Sequence, residues 1–370
     1  MDVIGIIGEY NPFHLGHKYH IDKIKEMYPE SILIVVTSTS FTQRGDISVL
    51  NKWDKTKILL DNNINLVIEL PFVYSTQSAD IFAKGALKIL NALKINKLIF
   101  GSESNDIELL KEIANLQINN KDFDNKVKLY LSEGYNYPTS LSWAIKDLGF
   151  NKIDTPNDLL GISYIKEIIK NKYNIIPETI KRTNNYHGNN NGKYKSASEL
   201  RELIKENKSI KDYINYDEKV IYKSTDDFNF LKYKIISSDI KNYQTVDEGI
   251  ENKINKEIIN CSSKNELINL IKSKRYTYNK INRMLTHILC SLTKEEAKLN
   301  IDYVRILGFN KNGKEYLNVI KKEIDIPLIT NYKNTTSKLL DIEYRVLKIY
   351  SLLTNDSTLI KREISKPVKK

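Results

Sequence analysis

Val3-Ile4-Gly5-Ile6-Ile7-Gly8-Glu9-Tyr10-Asn11-Pro12-Phe13-His14-Leu15-Gly16-His17 is an apolar β-branched run, then a polar break, then the first turn of a helical pattern. Val3–Ile7 is strand-sized and reads as a buried strand. Pro12 cannot extend a sheet, and Gly16 lets backbone approach a ligand closely. His14 and His17 thus fall at a helix N-terminus, where unpaired N–H groups and the helix dipole attract anions. The ligand this turn suits is a phosphate chain. A purely structural turn and a metal site remain the alternatives for a four-residue His-x-Gly-His pattern.

Outward from this turn the same alternation repeats. Ile32–Thr37, Leu66–Leu70 and Lys97–Phe100 read as buried strands. Gly16–Met27, Trp53–Asp61 and Ala79–Leu93 carry apolar residues at helical spacing. Such alternation predicts right-handed βαβ units in a parallel, doubly wound sheet, with ligands beyond the carboxyl ends of the strands. Helices are expected over 107–116, 122–133, 140–148 and 157–171, and a last strand over Pro177–Arg182. Residues 184–192, rich in Asn and Gly, read as a mobile surface loop. From about Asn207 strand signals thin out and basic helical stretches dominate. The expected organisation is α/β: a sheet domain over 1–205 and a mostly α-helical basic domain over 206–370.

Charge supports that division. Lys and Arg number 57 against 46 Asp and Glu, a net of +11. Residues 1–200 hold 24 basic and 23 acidic side chains, and residues 201–370 hold 33 and 23. A basic half is the usual footprint of a polyanion partner, with solubility as the plain alternative. Hydrophobic residues at 41% and charged residues at 28% exclude wholesale disorder. No apolar run approaches the roughly 18 residues of a membrane span, and Asp2 and Glu9 around a short apolar segment do not read as a signal peptide. Cys261 and Cys290 are the only cysteines, so a disulfide scaffold and a four-Cys zinc site are excluded, and a reducing cytoplasm is expected.

Further candidates lie along the chain. Ser196-x-Ser198-x-x-Arg201 places hydroxyls and N–H groups at a helix start with a guanidinium one turn in, suited to β- and γ-phosphates or, equally, to a capping box. Between Glu266 and Glu295 there is no acidic residue. Lys272, Lys274, Arg275, Lys280 and Arg283 stand there, interleaved with Tyr276 and Tyr278, and on a helix face they would combine phosphate attraction with stacking on an unpaired base. A solvated helix face is the alternative. Arg44 is a candidate for a carboxylate, pyrophosphate or RNA, or for a surface ion pair. Glu69, Gln77 and Ser78 read as turn-organising or capping residues, Trp53 as a core or interdomain anchor, and Met284 and Cys290 as core.

The His14-x-Gly-His17 turn and the Ser196/Ser198/Arg201 element together resemble the signatures of the nucleotidylyltransferase superfamily, which implies a Rossmann-like fold. Further segments carry a narrower resemblance: Glu9–His20, Gln43-Arg44-Gly45, Lys52-Trp53, Glu69-Leu70-Pro71, Gln77-Ser78-Ala79, Gly101-Ser102-Glu103, Pro156-Asn157 with Gly161, Arg182 with Tyr186-His187, Lys274–Thr277 with Arg283, and Arg305-x-Leu307-Gly308-Phe309. Together they are similar to the tRNA(Met) cytidine acetate ligase family of bacteria. The sequence departs from that pattern at Thr37-Ser38-Thr39 and at Gly188. The resemblance implies an ATP-dependent ligase that activates acetate as acetyl-adenylate, with Mg²⁺ on the nucleotide. Acetyl then passes to N4 of the wobble cytidine of elongator tRNA(Met). It implies ATP contacts from Ile7, Gly8, Glu9, Tyr10, Asn11, Pro12, Phe13, His14, Leu15, Gly16, His17, Lys18, Tyr19, His20, Gly101, Asn157 and Arg182. His14, His17 and Arg201 would be catalytic, with Ser196 and Ser198 on phosphates. A small-molecule adenylyltransferase of the phosphopantetheine type would use the same histidines without needing the basic half; a non-catalytic RNA-binding protein would need only that half.

Overall fold

The computed structural model describes residues 1–150, 153–182, 194–222, 228–332 and 336–370. The polar stretch expected to be a loop at 184–192 lies outside them. Eight strands form one sheet: β1 Val3–Gly8, β2 Ile32–Thr37, β3 Leu66–Glu69, β4 Lys97–Ser102, β5 Ile176–Lys181, β6 Val304–Phe309, β7 Leu328–Ile329 and β8 Val368–Lys369, in the order β5-β4-β1-β2-β3-β6-β7 with β8 beside β6. The first five run parallel. The helices are α1 Leu15–Met27, α2 Lys52–Asp61, α3 Phe72–Ser75, α4 Ala79–Ala92, α5 Ile107–Asn119, α6 Lys121–Ser132, α7 Tyr137–Asp147, α8 Pro156–Lys170, α9 Ala197–Lys205, α10 Phe228–Ser237, α11 Ile250–Ile258, α12 Lys264–Ile271, α13 Tyr278–Leu289, α14 Lys311–Ile320, α15 Lys338–Leu353 and α16 Thr358–Glu363.

Strand alternation builds two cores. Ile34, Val36, Leu66, Ile68, Leu98 and Phe100 face one side, against α4, α8 and the helices of the back half. Ile4, Ile6, Leu33, Val35, Val67 and Ile99 face the other, with Ile21 and Ile24 of α1, Leu59 of α2, Leu200 of α9 and Tyr350 of α15. The parallel, doubly wound sheet expected from the sequence is therefore present. Its register pairs Gly8 with Thr37 and Thr37 with Glu69, which lines up the loops that follow the strands along one edge.

The back half differs from the sequence reading in supplying β6, β7 and β8 to the sheet. It is mostly helical, yet β6 returns to the sheet and pairs antiparallel with β3. Arg305 interrupts the apolar run of β6, and its guanidinium is fully buried 2.7 Å from Glu363. Lys52 reaches Glu69 and Glu363 at 2.8 Å each. The partners of these charges are far apart in sequence, which hid a strand whose burial depends on them.

Trp53 is buried, with the Arg305 and Arg362 guanidinia 5.9 and 5.4 Å from its ring; it is an anchor between the halves. Glu69 is an ion-pair partner rather than only a turn former. Ser78 caps α4 by backbone alone, while Gln77 is buried. Cys261, Met284 and Cys290 are core residues.

Candidate nucleotide site at the carboxyl edge of the sheet

The β1–α1 turn is built around its two histidines. His14 is the N-cap of α1, and its Nδ1 accepts from the Gly16 amide at 3.0 Å. The His17 Nδ1 accepts from the His14 amide at 3.3 Å, closing a capping box. The rings stack with centroids 3.8 Å apart, and Tyr10 packs edge-on against His17. With each Nδ1 accepting, the proton of a neutral ring sits on Nε2. Burial, reinforced by the charges of Arg182 and Arg201, pulls His14 down to about 3. Burial, with the His14 charge next, holds His17 well below its ordinary value, and burial then Arg182 bring His20 to about 4. Their contribution at neutral pH is thus a pair of N–H dipoles rather than positive charge. The first turn of α1 has no acidic residue, so its positive end is uncompensated.

Arginines supply the charge. Arg201 of α9 donates to the Asn11 carbonyl at 2.8 Å and to Ser198 Oγ at 3.1 Å. Arg182, just past β5, donates to Asn157 Oδ1 at 3.4 Å. Glycine at 101 leaves room for it: a Cβ there would lie 3.2 Å from Arg182 Cγ. Glu103 accepts from the Asp158 amide at 3.1 Å and from the Asn157 amide group, while Asp158 accepts from the Glu103 and Ser104 amides at 3.1 and 3.0 Å. This reciprocal lock places Gly101, Asn157 and Arg182 together. Ser196 is the N-cap of α9, in a capping box with Glu199; Ser198 instead meets Arg201. Lys18 is tied to Asp22 at 2.6 Å, and the ring of Tyr19 lies 6.3 Å from that of Tyr194.

Below the turn, Lys55 of α2 donates to the Glu9 and Ser38 carbonyls at 2.7 and 2.9 Å. It is fully buried, and burial, opposed by Glu9, brings its ammonium down to about 7. The Glu9 carboxylate accepts from the Gln43 amide and is pushed up by burial. Asn11 accepts from the Val49 amide at 2.7 Å, and Tyr216 donates to the Phe13 carbonyl at 3.0 Å. Lys55 was missed by sequence reasoning, although a lysine inside the apolar stripe of α2 was a usable signal.

The basic stretch of the back half is not one helix face. Residues 272–277 connect α12 to α13, whose N-cap is Thr277. Tyr276 is buried, donates to the Asp247 carbonyl at 2.9 Å, and has Lys280 Nζ 3.9 Å from its ring. It packs the connector and offers no open stacking face. Arg275 is paired with Glu248 at 3.3 Å, and Lys274 lies 5.8 Å from the Tyr135 ring. Lys272 and Lys274 are exposed, whereas Arg283 is half-buried on α13 beside the loop holding Arg44.

Comparisons bear on this arrangement. The family described as HIGH Nucleotidyl Transferase matches residues 1–364. The tRNA(Met) cytidine acetate ligase of Caldicellulosiruptor saccharolyticus is 38% identical, over 95% of this chain and 94% of its own; that of Anoxybacillus flavithermus is 37% identical over 90% of each. The crystal structure of Thermotoga maritima TmcAL bound with alpha-thio ATP superposes with a TM-score of 0.89 at 27% identity, over 100% of this chain and 99% of that one.

Proposed function

Because this chain belongs to the tRNA(Met) cytidine acetate ligase family of nucleotidyl transferases, we propose that it activates acetate with ATP and acetylates N4 of the wobble cytidine of elongator tRNA(Met). The observation that carries the first step is the pair of stacked, neutral imidazoles at the N-terminus of α1, with Arg182 and Arg201 beside them. An acetate oxygen attacks the α-phosphorus in line, the bond to pyrophosphate breaks, and acetyl-adenylate forms. The Nε2–H donors of His14 and His17 and the end of α1 stabilise charge at the α-phosphate, while Arg201 and Arg182 hold the departing phosphates. Ile7–His20, Gly101 and Asn157 surround the nucleotide in this reading, with Ser196 and Ser198 at its phosphates. Mg²⁺ bound with the ATP phosphates would neutralise part of their charge in this reading.

In the second step the exocyclic amine of cytidine attacks the acetyl carbonyl, expelling AMP and losing a proton. Its lone pair is delocalised into the ring, so the acyl group must be activated first, which the acetyl-adenylate provides. Lys272, Lys274, Arg275, Lys280 and Arg283 attract the anticodon arm, making residues 206–370 chiefly the RNA-binding part and residues 1–205 the nucleotide-binding part. The working compartment in this reading is the cytoplasm, and no helix among the described residues is long and apolar enough to cross a membrane. The test is incorporation of labelled acetate into purified tRNA(Met). Label appears only with ATP and maps to the wobble cytidine. Absence of label from tRNA, with pyrophosphate release that depends on a soluble phosphate ester instead of acetate, would overturn the proposal.

A further inference from the structure

We propose that Arg44 and Arg283, from opposite halves of the chain, form one oxyanion clamp for an RNA phosphodiester adjoining the nucleoside presented to the nucleotide site. This rests on the RNA reading above and adds a defined contact to it.

The turn that carries Arg44 is built to lie on α13. Phe41 and Ile47 form an isolated bridge, and the Gly45 amide donates to the Thr42 carbonyl at 3.0 Å. Gly45 has φ +89°, and a Cβ there would lie 2.8 Å from the Asn282 carbonyl and 2.9 Å from the Arg283 amide. Asn282 Nδ2 donates to the Arg44 carbonyl at 2.9 Å and to Asp46 Oδ1 at 2.8 Å, and Thr286 Oγ1 donates to the Gly45 carbonyl at 2.7 Å. Helix and turn are therefore fastened on both sides of Arg283.

The fastening holds two like charges together. Burial, and then the charge of Arg44, pull Arg283 down to about 10. Neither guanidinium has an ion pair within 4.0 Å or a side-chain hydrogen bond among the described residues. The nearby carboxylate of Asp46 is directed to Asn282 and, at 4.0 Å, to Arg201. Half-buried guanidinia without an anion are costly to hold, and an oxyanion accepting from both reverses the balance. The clamp adjoins the nucleotide site through two links: the Gln43 amide donates to Glu9, and Asp46 reaches Arg201.

The ligand is an RNA phosphate rather than acetate. Arg283 continues the acid-free stretch bearing Lys272, Lys274 and Lys280. Acetate must keep one oxygen free to attack phosphorus, and two guanidinia would draw charge from both.

The experiment measures tRNA affinity against salt for Arg44→Gln, Arg283→Gln and the double variant, with Arg283→Lys as a charge-preserving control. Each single change weakens binding by roughly tenfold and lowers the log–log salt slope by about one. The double variant loses less than the product of the two, because both side chains meet one phosphate. Arg283→Lys keeps most of the slope. Unchanged affinity and slope in Arg44→Gln, which sits in a surface turn, would overturn the clamp. So would intact tRNA binding with a raised KM for acetate in RNA-free pyrophosphate exchange. Failure of the unsubstituted chain to bind tRNA would overturn the RNA reading itself, and the clamp with it.

Discussion

At the scale of single residues, the proposed role of the β1–α1 turn rests on direction rather than net charge. His14 and His17 spend each Nδ1 on capping α1 and retain Nε2–H for a ligand. Removing one such donor from a transition state costs about 10²–10³-fold in rate. His14→Ala and His17→Ala should therefore lose pyrophosphate exchange by that factor while tRNA affinity stays within roughly threefold, as filter binding would read it; loss of tRNA affinity instead would mean that the turn serves RNA. Keeping imidazoles neutral also shapes stability. His14, His20 and His287 titrate at about 3, 4 and 4, chiefly through burial, against about 6.5 in an unfolded chain. Between those values the unfolded chain takes up protons that the folded chain does not. Stability from these groups is complete above about pH 6.5 and falls as pH drops, by about 1.4 kcal/mol per pH unit for each. The raised Glu9 and Glu343 carboxyls act in the opposite sense, but the imidazoles, with His17 added, outnumber them. Urea unfolding should give a lower midpoint at pH 5.5 than at pH 7.5, and equal midpoints would contradict the burial assigned to the histidines.

At the scale of elements, the turn between β2 and α2 depends on Gly45. An alanine there must adopt φ near +89° and push on α13 backbone, so Gly45→Ala should cost about 1–3 kcal/mol by denaturant titration. A neutral change would mean that turn and helix are not closely packed. The β1–α1 unit was legible because everything that defines it is local: an apolar run, Pro12, the capping histidines and the periodicity of α1. The Ser196 cap was legible for the same reason. The segment 272–277 was misread as helix because its basic residues suit a solvated helix as well as a connector. What decides between them is Thr277, whose Oγ caps α13, and Tyr276, whose partner Asp247 lies 29 residues away. Reading Thr277 as a cap would have ended the preceding segment correctly.

At the scale of the whole molecule, the two halves share a sheet and a buried charge network. Lys52 and Glu69 come from the front, Arg305 and Glu363 from the back, and all four are almost fully buried. Glu343, its carboxyl pushed far up by burial and then by Glu69, accepts from the Phe72 amide. Glu363→Ala would strip Arg305 of its carboxylate partner and leave Lys52 with Glu69 alone, and should cost roughly 3–5 kcal/mol, measured by urea unfolding; a loss under 1 kcal/mol would show that the network is solvated. No periodicity reveals such a network, which is why β6 escaped the sequence reading although the five parallel strands did not. The net charge of +11 takes on a location in this architecture. In the proposed reading the nearly neutral front half concentrates its pull at Arg182, Arg201 and the end of α1, and the exposed lysines of the back half face a large anion. The central claim is that acyl activation belongs to the front half and precedes any encounter with RNA. It is tested by ATP–pyrophosphate exchange with the full chain, acetate and no tRNA. The account predicts exchange that depends on acetate and is lost in His17→Ala; exchange that requires tRNA, or proceeds equally without acetate, would contradict it.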